Sequence, residues 1–109
     1  MTVSTHVLDA VAGHPAAGVA IALSRLVPSG SWQPVDEGVT DADGRLRFGA
    51  ETAGGAYRLT FATGAYFADR SVPAFYPEVV ITFTADAGGG HFHVPLLLSP
   101  YAYSTYRGS

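Results

Sequence analysis

Imidazoles stand at two places where ordinary strands carry apolar residues. His6 interrupts the run Val3-Ser4-Thr5-His6-Val7-Leu8, and His91-Phe92-His93 opens the hydrophobic stretch that ends at Leu98. An imidazole with an unperturbed pKa of about 6.5 can accept or deliver a proton near neutral pH. Arg45 and Arg47 follow the loop Thr40-Asp41-Ala42-Asp43-Gly44. A guanidinium is always charged and offers planar donors to a developing anion. The ending Tyr106-Arg107-Gly108-Ser109 keeps hydrogen-bonding residues where chains usually fray.

Each feature also has a plainer reading. A single strand histidine is most often a partly exposed hydrogen-bonding residue. Arg45 and Arg47 could be solvated strand charges, which contribute little, and His14 beside Pro15 could be a loop residue. His91-x-His93 sets two imidazoles on one face, yet no third ligand for zinc stands out, so no metal site is expected. Asp41, Asp43 and Gly44 lack the spacing and distal Glu of an EF-hand. There is no Gly-x-Ser-x-Gly elbow, and Gly88-Gly89-Gly90 lacks the Lys-Ser/Thr of a phosphate loop. With no cysteine, thiolate chemistry and disulfides are excluded.

The elements that must hold these groups are short. Period-2 patterning, broken by Gly, Pro and Asp, predicts strands over 3–8, 18–26, 31–35, 45–48, 56–62, 79–85, 91–98 and 101–107. Residues 64–70 form the one plausible helix, two turns at most. About eight strands at hairpin spacing predict an all-β, two-sheet β-sandwich of immunoglobulin-like size. The 109 residues suit a single domain spanning 1–109.

Strand parity then sorts the residues. Phe92, Val94, Leu96 and Leu98 face the core, so His93, Pro95 and Leu97 face outward. In the first strand Ser4, His6 and Leu8 oppose Val3, Thr5 and Val7. Ser104 and Tyr106 share a face of the last strand. If these outward faces adjoin, His6, His93, Ser104 and Tyr106 line one surface with Leu8, Pro95 and Leu97. Such a face is too apolar for water and should be an assembly or ligand face.

Composition agrees. Hydrophobic residues make up 48% and charged residues 14%, which excludes disorder and hints that copies of the chain cover one another. The net charge is −3, and the six basic residues, all Arg, are scattered, so neither nucleic acid nor anionic lipid is an expected partner. No apolar run approaches membrane-spanning length. The start lacks a basic, then apolar leader, which makes the cytoplasm the default location.

Several blocks together resemble the transthyretin-related 5-hydroxyisourate hydrolase family. They are Ser4-Thr5-His6-Val7-Leu8-Asp9, Gly13-His14-Pro15-Ala16, Thr40 to Arg45, Phe75-Tyr76-Pro77-Glu78-Val79, His91 to Pro100, and Tyr103 to Ser109. The terminal Tyr-Arg-Gly-Ser separates the family's hydrolases from its hormone carriers. The resemblance implies a transthyretin-like sandwich assembled as a homotetramer, a dimer of dimers with active sites at the dimer–dimer interface. It implies metal-free, cofactor-free hydrolysis of 5-hydroxyisourate to 2-oxo-4-hydroxy-4-carboxy-5-ureidoimidazoline, in urate catabolism. Relatives also occur in the periplasm and peroxisome.

Carried over by position, His6, Arg45 and His93 match the family's catalytic groups. His6, Arg45, Leu97, Ser104, Tyr106, Arg107, Gly108 and Ser109 would contact the substrate, and His91 ranks behind His93. His6 and His93 would position and deprotonate water while Arg45 stabilises the oxyanion. Tyr106 would contact the ring, with Arg107 and Ser109 bonding the substrate or fixing the other groups. Two rival readings are a carrier of a hydrophobic, hormone-like ligand and an adhesin-type or carbohydrate-binding sandwich. The polar side chains argue against the first, and the lack of repeats, linkers and an aromatic platform against the second.

Overall fold

A computed structural model describes residues 1–50 and 53–109. Ten strands and one helix follow in the order β1 (Thr2–Asp9), β2 (His14–Pro15), β3 (Ala20–Leu26), β4 (Trp32–Val39), β5 (Arg45–Arg47), β6 (Gly55–Phe61), α1 (Thr63–Asp69), β7 (Val79–Ala85), β8 (His91–His93), β9 (Leu96–Leu98) and β10 (Tyr103–Thr105). One sheet runs β10-β9-β1-β2, with β5 and β8 also paired to β1; the other runs β4-β3-β6-β7.

The expected eight strands become ten for two local reasons. Asp9 and His14 pair across the first loop, which adds the two-residue β2. Pro95 has no N–H to donate, so the run His91 to Leu98 divides into β8 and β9. β4, an edge strand, extends to Val39, beyond the expected 35, because Asp36 to Val39 pair with Leu23 to Ala20 of β3. Pro34 is tolerated on that edge, opposite a register shift at Leu23/Ser24. The last strand is shorter than expected and ends at Thr105.

The core lies between the sheets. Val3, Val7, Phe92, Leu96 and Leu98 contribute from one side, and Ile21, Leu23, Tyr57, Leu59, Phe61, Val79 and Ile81 from the other. Burying a side chain of this size stabilises by roughly 1.5–3 kcal/mol, so the inward set fixes the strand faces. Burial alternates strictly along β1, with Val3, Thr5, Val7 and Asp9 inside. A one-residue slip would bury His6 and expose Val7. The buried Thr5 hydroxyl donates to the Val94 carbonyl at 2.6 Å, at the break between β8 and β9.

Candidate active site

β1 is the spine of the site. Its antiparallel register with β5 places His6 opposite Arg45 and Ser4 opposite Arg47. On its other side, the parallel register with β8 places Thr2 opposite His91 and Ser4 opposite His93. Further along, Leu8 pairs with Leu97 and Leu97 with Ser104. Thr2, Ser4, His6, Leu8, His93 and Leu97 are all partly exposed on the side away from the core. The outward face expected from parity therefore exists, because the hydrophobic halves of these strands are inside.

The turn between β4 and β5 aims two of these groups. The Asp41 carboxylate accepts N–H bonds from Asp43 at 2.9 Å and Arg45 at 3.0 Å, which closes the loop. Gly44 has φ +74°, and a Cβ there would lie 2.3 Å from the Val7 carbonyl oxygen. Only glycine permits both the backbone conformation and the close approach. The turn so held presents the Asp43 carbonyl to His6 Nε2 at 2.8 Å. A carbonyl only accepts, so Nε2 carries a proton, and in the uncharged ring the lone pair is on Nδ1.

His93 is held from two directions. Its Nδ1 meets Ser4 Oγ at 2.8 Å, and its carbonyl accepts the Gly108 N–H at 2.8 Å. Gly108 lies so close that a Cβ would stand 2.5 Å from His93 Cδ2. Partial burial, followed by the positive charges that His6, His91 and Arg45 can carry, lowers the His93 pKa below the ordinary imidazole value. These surroundings therefore favour the basic, uncharged form of His93.

Ser4, Arg45, Arg47, His91, His93 and Ser109 surround a cleft of about 340 Å³. The resemblance ranks His91 behind His93, and no motif in the sequence marks Ser4 or Thr2 as a site residue. Ser4 Oγ lies 2.7 Å from His91 Nε2 as well as 2.8 Å from His93, and Thr2 Oγ1 lies 2.6 Å from His91 Nδ1. The signal available for Ser4 was its parity with His6, two residues along the same face. No group of three His, Cys, Asp or Glu side chains able to hold a metal occurs among the described residues.

Not every expected group converges within one chain. Leu97 and Ser104 lie on the same outer face but further along β1, beside Leu8. Tyr106 and Arg107 line a different cleft of about 290 Å³, with Ile81, Phe83, Phe92 and Val94. Parity fails for Tyr106 because β10 stops at Thr105 and the chain turns to bridge Gly108 to His93. The Arg107 guanidinium lies over the Phe92 ring at 4.6 Å.

Comparison with known proteins identifies the family. The family described as "HIUase/Transthyretin family" matches residues 3–108. The chain is 47% identical to the 5-hydroxyisourate hydrolase of Caulobacter vibrioides, over 97% of this chain and 96% of that one. The solved 5-hydroxyisourate hydrolase of Klebsiella pneumoniae is 40% identical, with TM-score 0.88 and full coverage of both chains. Sea bream transthyretin, solved in complex with thyroxine, is 34% identical with TM-score 0.93, covering 97% of this chain and 93% of that one. Backbone similarity does not separate hydrolase from carrier, whereas sequence identity is higher with the hydrolases. A sandwich with this strand order, matched over nearly its whole length, makes the chain a member of the HIUase/transthyretin family.

Proposed function

We propose that this protein is a hydrolase that opens 5-hydroxyisourate to 2-oxo-4-hydroxy-4-carboxy-5-ureidoimidazoline, as one domain spanning residues 1–109. The observation that carries this reading is the placement of His6, Arg45 and His93 on one outward face, Arg45 and His93 in one cleft and His6 opposite Arg45 on β1, with the His93 pKa lowered by its surroundings. Relatives of 43–48% identity named 5-hydroxyisourate hydrolase support the substrate.

In this mechanism the neutral His93 takes a proton from water as the water attacks the ring carbonyl. The tautomer of His6, with its lone pair on Nδ1, suits it to orient that water or the ring. Arg45 stabilises the oxyanion, and its backbone is fixed by Asp41. The strained bicyclic amide is already activated, so these groups suffice without a metal. Gly108 and Ser109 bring the end of the sequence against His93, which supports a role in shaping the pocket.

The remaining groups act in an assembly. Among the described residues β7 and β10 end their sheets with free edges. Phe75, Val80, Tyr101, Tyr103 and Tyr106 are exposed apolar residues on or next to these edges and the segments that lead into them. Such edges invite pairing with a second copy. A dimer of dimers would then enclose the outer face of β1, β8 and β9, and bring Leu97, Ser104, Tyr106 and Arg107 toward substrate. The cytoplasm is the proposed location; among the described residues no helix is long and apolar enough to cross a membrane.

The test is the ultraviolet decay of freshly generated 5-hydroxyisourate, with and without a chelator. Accelerated, chelator-insensitive decay is expected, and decay at the uncatalysed rate refutes the reading. The similarity to a thyroxine-bound transthyretin favours a second reading, a carrier. It requires tight thyroxine binding without turnover, which equilibrium dialysis measures.

A further inference from the structure

His91 and Ser4 lie beside the proposed catalytic groups, and the mechanism above leaves them without work. Their hydrogen bonds form a continuous line of three contacts: Thr2 Oγ1 to His91 Nδ1 at 2.6 Å, His91 Nε2 to Ser4 Oγ at 2.7 Å, and Ser4 Oγ to His93 Nδ1 at 2.8 Å. The line follows from the fold. Thr2 and Ser4 are two residues apart on β1, His91 and His93 two apart on β8, and the parallel register sets the pairs side by side.

A serine hydroxyl has a single proton. Ser4 can therefore donate to only one of the two imidazoles, and when it does it accepts from the other, so its direction couples the tautomers of His91 and His93. In one direction His93 donates Nδ1–H to Ser4, Ser4 donates to His91 Nε2, and His91 donates Nδ1–H to Thr2. His93 Nε2 then holds a free lone pair and can act as base. In the other direction every bond reverses and His93 Nε2 carries the proton. Among the described residues His93 Nε2 has no hydrogen-bond partner, whereas both nitrogens of His91 are taken.

We infer that Ser4 and His91 form a proton relay that sets the tautomer of His93 and exchanges its proton with solvent. This rests on the hydrolase reading and deepens it. When Nε2 of His93 takes a proton from water, Nδ1–H passes to Ser4 Oγ as the Ser4 proton passes to His91 Nε2. His91, which is exposed, releases its Nδ1 proton through the Thr2 hydroxyl to bulk water. One proton enters at His93 Nε2 and one leaves at Thr2. The reverse passage returns a proton to Nδ1 as His93 Nε2 protonates the leaving nitrogen, so the ring stays neutral throughout. Ser4 and His91 are positioning residues, since neither is required to touch the substrate.

The experiment has two arms. In the first, 15N NMR of the ring nitrogens reads the tautomer of His93 in the unmodified protein at neutral pH, with no substrate. The Nδ1–H form is expected, and a shift toward Nε2–H in Ser4→Ala; a resting Nε2–H form in the unmodified protein overturns the relay whatever the enzyme's substrate. In the second, Ser4→Ala and His91→Ala should each lower kcat by at least about 10-fold with KM little changed. Ser4→Thr should restore kcat, added imidazole should rescue His91→Ala, and the double variant should be no slower than the slower single one. Wild-type kcat in Ser4→Ala, or additive losses without imidazole rescue, overturn the relay. An unmodified protein that fails to hydrolyse 5-hydroxyisourate would defeat the hydrolase reading instead and leave the NMR result standing.

Discussion

The His6 imidazole donates its Nε2 proton to the carbonyl of Asp43, 37 residues away, at 2.8 Å. One bond thus ties a strand histidine to the turn that launches Arg45, and the turn depends on Gly44. Gly44→Ala meets a positive φ and a carbonyl oxygen at 2.3 Å. It should cost about 1–3 kcal/mol of stability, seen in the denaturant midpoint, and should lower turnover in the fraction that remains folded.

Removing any of the three groups assigned to chemistry should be far worse for rate than for stability. His6→Ala, Arg45→Ala and His93→Ala should each reduce the decay rate of 5-hydroxyisourate by about 10²-fold or more. All three side chains are partly or fully exposed, so thermal unfolding should change little. An unchanged rate in all three would remove the proposed site.

The pH dependence follows from His93. Burial and the facing His6, His91 and Arg45 lower its pKa, so its basic form persists as pH falls below about 6.5. The acidic limb of kcat/KM should therefore lie below that value, and a limb above it would contradict the assignment. The stability effect has a definite sign. Between the folded and unfolded pKa values the unfolded chain binds the extra proton, so stability falls as pH drops through that window.

Gly108 predicts a separation of fold from activity. Gly108→Ala would drive a methyl group to 2.5 Å from the His93 ring and displace it. A displacement near 1 Å can cost about 10²-fold in rate, so turnover should drop while circular dichroism stays that of the sandwich. Deleting Tyr106 to Ser109 should abolish turnover, with scattering still reporting an assembled protein. Full activity after the deletion would show that the tail serves no catalytic purpose.

A last prediction concerns the far end of β1, where Asp9 is only 5% exposed. Its carboxylate accepts the Tyr66 hydroxyl at 2.9 Å and the N–H groups of Val11 and Ala12 at 3.1 and 2.9 Å. Burial and this carboxylate raise the Tyr66 pKa. Tyr66→Phe should cost about 1 kcal/mol, and Asp9→Ala about 1–3 kcal/mol because it leaves three donors without an acceptor. Neither should change the decay rate at temperatures where the protein is folded.

Alternation of apolar and polar residues was enough to determine the sandwich, the course of most strands and the outward side of His6, His93 and Leu97, because a buried face permits only one register. The family blocks pointed to the hydrolase, and their residue types to proton transfer beside a cation. Tertiary structure decided what depends on distance across the chain. The pairing of β1 with both β5 and β8 brings Arg45 to His6 and makes Ser4 a bridge between His91 and His93; local sequence carries no record of which strands become neighbours. The tail shows the same limit. Its parity set Tyr106 beside the histidines, but β10 ends one residue earlier and Gly108 takes the place against His93, since only a residue without a side chain fits there.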